Sequence, residues 1–344
     1  MSKNKKILVT GGLGYIGSHT VVELQQAGFD VVIIDNLSNS TIAVLDGITT
    51  ITGIAPEFVR LDLREKRDVS EFFLQRSDIE GIIHFAASKA VGESVENPLL
   101  YYENNVNTLI YLLQECKVHQ LDNFIFSSSC TVYGEPDKLP ITEEAPVKKA
   151  TSPYGNTKQI NEEILEDTCA VSSLKAIALR YFNPIGAHHT TEIGELPVGV
   201  PQNLVPFITQ TAAGIRKELS VYGDDYDTED GSCIRDYIHV VDLAKAHVVA
   251  LQRLLSESNE NNFEIFNIGT GRGSSVLEVV RAFQQILDSS LPYKIVDRRI
   301  GDVVSVYADT TKANEVLGWK AEKSMEEALD SAWKWEQKIR GLTP

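Results

Sequence analysis

At 344 residues, 43% hydrophobic and 23% charged, the chain can bury a full core as one large domain or two. Its 48 acidic and 32 basic residues leave a formal charge of −16, which argues against a nucleic-acid-binding surface, although a local basic pocket for a small anion is compatible with it. No apolar run approaches the roughly 18 residues of a membrane span.

The first apolar run stops at Thr10-Gly11, too short for a secretory leader. Cys116, Cys130, Cys169 and Cys233 are scattered with no C-x-x-C pair, so free thiols and a cytoplasmic location are expected. Ile7-Leu8-Val9 reads as a buried parallel strand, followed by glycines at 11, 12, 14 and 17 and a helical run to about Gly28. Such a turn lets the backbone approach a pyrophosphate, whose charge meets free N–H groups at the helix start. The next strand, Val31-Val32-Ile33-Ile34, ends in Asp35, 21 positions after Gly14. A carboxylate at that spacing accepts from an adenosine ribose and repels a 2′-phosphate, so NAD rather than NADP is the expected cofactor.

Residues 57–63 read as a third strand with Asp62 near its end, where either a ligand contact or a turn and N-cap role fits. A helix at 65–76 and a strand at 81–87 follow, then the loop 88–94. Helices are expected at 98–117, with Leu99, Tyr102, Val106, Leu109, Leu112 and Leu113 near a 3.6-residue period, and from Pro153 to about Ala170. Strand 124–127 lies between them. The alternation implies an α/β fold with a doubly wound parallel sheet.

After Arg180 the pattern loosens. Residues 184–203 suggest an irregular binding loop, followed by helix 204–216 and strand 219–222. Further on, helix 274–288, strand 293–296, the loop 298–302 and helix 325–340 complete the chain. The expected division is a dinucleotide domain at 1–180 and a smaller mixed α/β substrate domain at 181–344, with the helix near 242–255 packing back on the first. Glycines 269, 271 and 273 lack the strand–helix–strand context and read as a turn. Asn97 and the acids at 224–230 read as turn or surface residues.

Tyr154 and Lys158 are four apart on a helix and share a face. An ammonium and a positively charged nicotinamide beside a phenol lower its pKa and make it a usable base. Ser129, at a strand end, is placed to hydrogen-bond both phenol and substrate. Such a set removes an alcohol proton while NAD accepts hydride from the same carbon.

These residues carry a resemblance to the extended short-chain dehydrogenase/reductase family, and within it to the nucleotide-sugar 4-epimerases. It runs through Thr10–His19, His84-Phe85-Ala86, Lys89–Ser94, Phe126–Ser129 and Thr131–Gly134. It continues through Ser152–Gly155 with Lys158, Leu179–Pro184, Glu229-Asp230-Gly231 and Arg235–Val240. The resemblance implies Tyr154 as general base and acid, Lys158 as its partner and nicotinamide-ribose ligand, and Ser129 as hydrogen-bonding helper. It assigns Gly11, Gly14, Tyr15, Ile16, Gly17, Asp35, Asn36, Asp62, Leu63, Phe85, Ala86, Lys89, Asn104 and Tyr181 to NAD. Thr131 falls at the sugar; Asn183, Asn203, Leu204, Tyr222, Arg235, Arg299 and Asp302 fall around UDP. Two arginines suit a diphosphate through bidentate charge-assisted bonds.

The implied activity is interconversion of UDP-galactose and UDP-glucose, by a homodimer formed through the helices near 98–117 and 153–170. Val306 falls at the sugar-pocket wall, where some relatives carry tyrosine and exclude N-acetylated sugars, so valine implies room for UDP-N-acetylglucosamine and UDP-N-acetylgalactosamine. A nucleotide-sugar 4,6-dehydratase is the nearest rival. Dehydratases of this family carry Asp-Glu where this chain has Cys130-Thr131. A non-enzymatic NAD sensor would not need Ser129, Tyr154 and Lys158.

Overall fold

Seven parallel strands form the spine of the computed structural model, which describes residues 6–299 and 302–342. They are β1 (Lys6–Thr10), β2 (Asp30–Asp35), β3 (Glu57–Arg60), β4 (Ile79–His84), β5 (Asn123–Ser127), β6 (Lys175–Tyr181) and, much later in the chain, β11 (Phe263–Ile268). Their spatial order is β3-β2-β1-β4-β5-β6-β11, all parallel.

Ile7, Leu8, Val9, Ile82, Ile83, Phe124 and Ile125 have no exposed surface, as helices cover both faces. On one face lie α1 (Tyr15–Gln26), α2 (Val44–Thr52) and α8 (Val240–Leu255), contributing Val21, Val22, Ile48 and Leu243. On the other, α3 (Lys66–Leu74), α5 (Pro98–His119) and α6 (Pro153–Ala170) contribute Phe73, Leu109, Leu112 and Leu165. The strand order reverses between β1 and β4, and a crevice at the carboxyl ends of such strands is where doubly wound sheets hold ligands.

The second body is smaller. Its core joins α7 (Leu204–Ala212), α9 (Val276–Leu287) and α10 (Met325–Arg340) through Val205, Ile208, Val279, Phe283 and Leu329. Short strands knit it together. β7 (Asn183–Ile185) pairs β10 (Tyr237–His239), and β8 (Leu219–Tyr222) pairs β13 (Tyr293–Val296). β9 (Ile234–Arg235) lies between β12 (Ser274–Ser275) and β14 (Ser305–Val306).

A cut at 180/181 is crossed twice. α8 packs on α1 and the sheet, and β11 returns as the seventh strand beside β6, where Phe266 and Ile268 are wholly buried.

Several element boundaries differ from the sequence expectation. β3 ends at Arg60 and β4 at His84, leaving residues 61–63 and 85–87 as loop at the crevice. A short helix, α4 (Val91–Glu96), occupies most of the expected loop at 88–94. α7 ends at Ala212 because Gly214 turns to φ +73°. Ile300 and Gly301, in the loop expected at 298–302, lie outside the described residues.

Candidate active site

The glycine turn between β1 and α1 is shaped by close approach. Gly11 has φ +68°, and a Cβ there would lie 2.8 Å from the Ala86 nitrogen after β4. A Cβ on Gly17 would collide with the Gly11 carbonyl, so α1 can sit tight on the turn only with glycine there. Gly14 caps α1, and a Cβ at that position would meet only the Gly11 oxygen, at 3.2 Å, so its outer side is open. The first N–H groups of α1, including those of Tyr15 and Ile16, have no carbonyl partner within the helix. This cradle fits a dinucleotide pyrophosphate.

Asp35 ends β2 beside it. One carboxylate oxygen accepts from Leu13 N at 3.1 Å, the other from Leu37 N at 2.9 Å and Ser40 Oγ at 2.8 Å, so Asp35 also closes the glycine turn. Asp62 takes the turn role of the two weighed from sequence and also contacts Asn36. It makes a local turn onto Arg64 N at 3.0 Å and reaches Asn36 Nδ2 at 3.1 Å. The Arg64 guanidinium on Asp62 holds that carboxyl down to about 2. Asn36, Arg60, Leu61, Asp62 and Asp68 line an open cleft at this end. Leu63, expected at the cofactor, buries its side chain in the sheet core.

Phe85 and Ala86 meet β1 through Phe85 N to Thr10 O at 3.0 Å and Ala86 N to Thr10 Oγ1 at 3.4 Å. Asn104, on α5, donates to Ser88 Oγ at 3.0 Å and steadies the loop that carries Lys89.

α6 carries the reactive pair. Ser152 caps it by accepting from Gly155 N at 3.1 Å, with Pro153 in its first turn. Tyr154 and Lys158 are both buried in the seam between α6 and β5. The Lys158 ammonium donates to Ser127 O at 2.6 Å and lies 5.8 Å from the Tyr154 ring centre. Tyr181, ending β6, shares a 2.6 Å hydrogen bond with Ser127 Oγ. Ser129 follows β5, and its hydroxyl accepts from Thr131 N at 3.3 Å.

The lowering expected of the phenol rests on the ammonium together with a positively charged nicotinamide. Burial pushes Tyr154 above the usual tyrosine range, Tyr181 adds to the rise, and the hydrogen bond with Ser129 opposes it. Burial also brings Lys158 down to about 8, with Glu162 opposing. Desolvation disfavours both charged forms.

The second body closes the site. Thr131 leaves its Oγ1 buried with no partner among the described residues, a hydroxyl available to a ligand. Val306 in β14 packs with Val132, Tyr133 and Phe182, and Cys130 lies against this cluster. Tyr307 points the other way, toward Gly273. Arg235 sits 3.5 Å from Asp302, while the Arg299 guanidinium lies 4.5 Å over the half-exposed Tyr222 ring. Asn183 is in β7, with its N–H on Asp236 O at 2.9 Å. Asn203 caps α7 immediately before Leu204.

The glycines at 269–273 do form a turn. Asp236 anchors it, accepting from Thr270 N at 2.9 Å and Gly271 N at 3.1 Å. Asp230, read as a surface acid, is tied to α9 by Ser275 Oγ at 2.6 Å and Arg281 at 2.8 Å.

A family model described as GDP-mannose 4,6 dehydratase matches residues 8–332. The UDP-glucose 4-epimerase of Dictyostelium discoideum is 49% identical over 332 residues, 96% of this chain and 95% of that protein. The chain belongs to the UDP-glucose 4-epimerase family. A Stenotrophomonas maltophila UDP-glucose 4-epimerase crystallised with NAD and formylated UDP-arabinopyranose is 44% identical, with TM-score 0.94 over 99% of this chain and 100% of that one. A Bifidobacterium longum epimerase in complex with NAD+ and UDP is also 44% identical, with TM-score 0.93 over 98% and 100%. The matched family model is described by a dehydratase, whereas the relatives matched at 44–49% identity are UDP-glucose 4-epimerases.

Sequence reasoning passed over two further contacts of this epimerase-family site. His84 Nδ1 lies 2.7 Å from Thr10 Oγ1 under the crevice floor, and Glu195 faces Lys89 and Asn203. Neither pairing has a signature in spacing, since each joins residues from separate elements.

Proposed function

We propose that the chain interconverts UDP-galactose and UDP-glucose by transient oxidation at C4, using a tightly held NAD. The observation that carries this reading is the convergence of Tyr154, Lys158 and Ser129 at the crevice of a chain 49% identical to a UDP-glucose 4-epimerase. The glycine turn, Asp35 and the Asn36–Asp62 pair would hold the adenosine diphosphate end. Lys158, Tyr181, Phe85, Ala86, Lys89 and Asn104 would surround the nicotinamide end.

Bound NAD supplies the hydride acceptor and donor. Tyr154 takes the proton from the C4 hydroxyl and later returns it to the oxygen on the other face. Ser129 and Thr131 hydrogen-bond the oxygens near C4 without clamping the ring. Tyr154 must enter that step as phenolate, and the Lys158 ammonium supplies the positive charge that favours this form before the proton is taken. Arg235 and Arg299 meet the diphosphate, Tyr222 offers a ring to the base, and Asp302 accepts from ribose hydroxyls. Asn183, Asn203 and Leu204 complete this grip. A firmly anchored nucleotide with a lightly held sugar would let the oxidised sugar present either face of C4 to the cofactor site.

Val306 gives the sugar pocket an apolar wall without a ring, which supports slower turnover of the N-acetylated UDP-sugar pair. We also propose a homodimer through α5 and α6, supported by exposed Leu99 and Leu100 at the start of α5. No described helix is long and apolar enough to cross a membrane, and a cytoplasmic location is part of the proposal.

Incubation of purified protein with UDP-galactose tests the reading. The epimerase yields UDP-glucose of unchanged mass. A product lighter by one water would assign dehydration, and no product would assign a binding role.

A further inference from the structure

The strap between β7 and α7 leaves the second body to touch the first, where it lies against α1 and α2. Near one end, the Tyr15 hydroxyl of α1 donates to Gly186 O at 2.6 Å. Further along, the Trp335 indole of α10 donates to Glu195 O at 2.9 Å, and a Cβ on Gly194 would lie 2.5 Å from that ring. The strap is therefore seated where Glu195 leaves it, with that side chain only 11% exposed.

The Glu195 carboxylate reaches both walls of the crevice with one oxygen. Its Oε1 accepts from Asn203 Nδ2 at 2.6 Å and stands 3.8 Å from Lys89 Nζ. Lys89 follows β4 on the sheet side, and Asn203 caps α7 on the opposite side. An ionised carboxylate can only accept, so Asn203 must turn its NH2 toward Glu195 and leave its carbonyl oxygen for a donor on a ligand. Lys89, half exposed, is a mobile four-carbon stem whose ammonium gains a fixed counter-charge. Burial raises the Glu195 carboxyl, while Lys89 and Asn203 pull it back down, so these two partners favour its charged form.

We infer that Glu195 is a positioning residue that holds Lys89 toward the cofactor and Asn203 toward the nucleotide of the sugar substrate. This rests on the proposed assignment of those two residues to NAD and UDP. Glu195 itself touches no reacting atom.

Two double-mutant cycles on the full chain test it. The first measures the NAD dissociation constant for Lys89→Met, Glu195→Gln and both together. The second measures KM for UDP-galactose with Asn203→Ala, Glu195→Ala and both. Each single change is expected to weaken its ligand about five- to tenfold, and each double variant to fall within about twofold of the worse single one. Effects that multiply would overturn the inference.

Glu195→Gln retains an acceptor for Asn203, so it should weaken NAD while leaving KM and kcat within about twofold. General loosening of the strap would move all three, and that result would also overturn it. This separation stands on its own if Glu195→Ala does not fold. If Lys89→Met leaves NAD binding unchanged, or Asn203→Ala leaves KM unchanged, the proposed ligand assignment of that residue fails first, and that arm of the inference falls with it.

Discussion

Replacing Val306 by tyrosine should separate the two proposed substrate pairs. Val306 is 7% exposed in β14, backed by Val132, Tyr133 and Phe182, so a phenol ring cannot be absorbed inward. Strand alternation already sends Tyr307 to the opposite side, against Gly273, leaving the valine methyls as the wall at this position. On the proposed placement of Val306 at the pocket wall, the added ring projects toward the sugar. Forcing a 2-acetamido group past it costs about 1–3 kcal/mol on overpacking precedent, or roughly 5- to 150-fold in kcat/KM. The plain sugars lack that group and should lose little. Coupled or chromatographic assays of UDP-galactose and UDP-N-acetylgalactosamine in wild type, Val306→Tyr and Val306→Ala give the comparison. Wild type and the alanine variant should turn over both, and the tyrosine variant only the plain sugar. A wild type inactive on the acetylated pair, or a tyrosine variant with an unchanged ratio, would refute the reasoning.

Tyr154→Phe keeps the buried ring but removes the proton-transfer group, so turnover should fall by ~10²-fold or more with NAD still bound; a variant above half the wild-type rate would reassign the base. Because burial brings Lys158 down to about 8, the charged form dominates below that value. Turnover that depends on the ammonium should fall as pH rises through about 8, and a kcat profile flat across that range would contradict it. Burial lowers His19, His84 and His239 to about 3 and His188 and His247 to about 4, from an ordinary 6.5. The unfolded chain therefore binds protons first as pH falls from 6.5 toward 4, and each histidine removes stability by up to ~1.4 kcal/mol per pH unit. Urea midpoints should drop steeply from about pH 7 to about pH 5, and equal midpoints would contradict this.

The strands of the first 180 residues were legible because periodicity and punctuation agreed, whereas the helices at 44–52 and 91–96 were not read. Fully apolar runs at 7–9, 31–34 and 124–126 pointed to covered strands, and glycine spacing set the turn between the first strand and helix. Residues 263–268 were missed because Glu264 and Asn267 interrupt the apolar run, and their partners lie far away in sequence. Arg253 pairs Glu264 at 2.7 Å, and Tyr133 meets Asn267 at 2.7 Å.

At the site, residue types and spacing pointed to Tyr154 and Lys158, whereas their protonation energetics depended on burial that spacing does not report. The tie from Glu195 to Lys89 and Asn203 needed the folded strap. Arg299 and Asp302 entered through resemblance alone, and the structure gives them different neighbours, Tyr222 for one and Arg235 for the other.

Everything in the proposed reaction depends on hydride leaving and returning to C4 without exchanging with solvent. UDP-galactose turned over in heavy water, with the UDP-glucose product analysed by NMR, tests it most directly. No deuterium is expected at C4 after many turnovers. Deuterium entering that position at the rate of turnover would contradict the hydride route and assign proton abstraction from carbon instead.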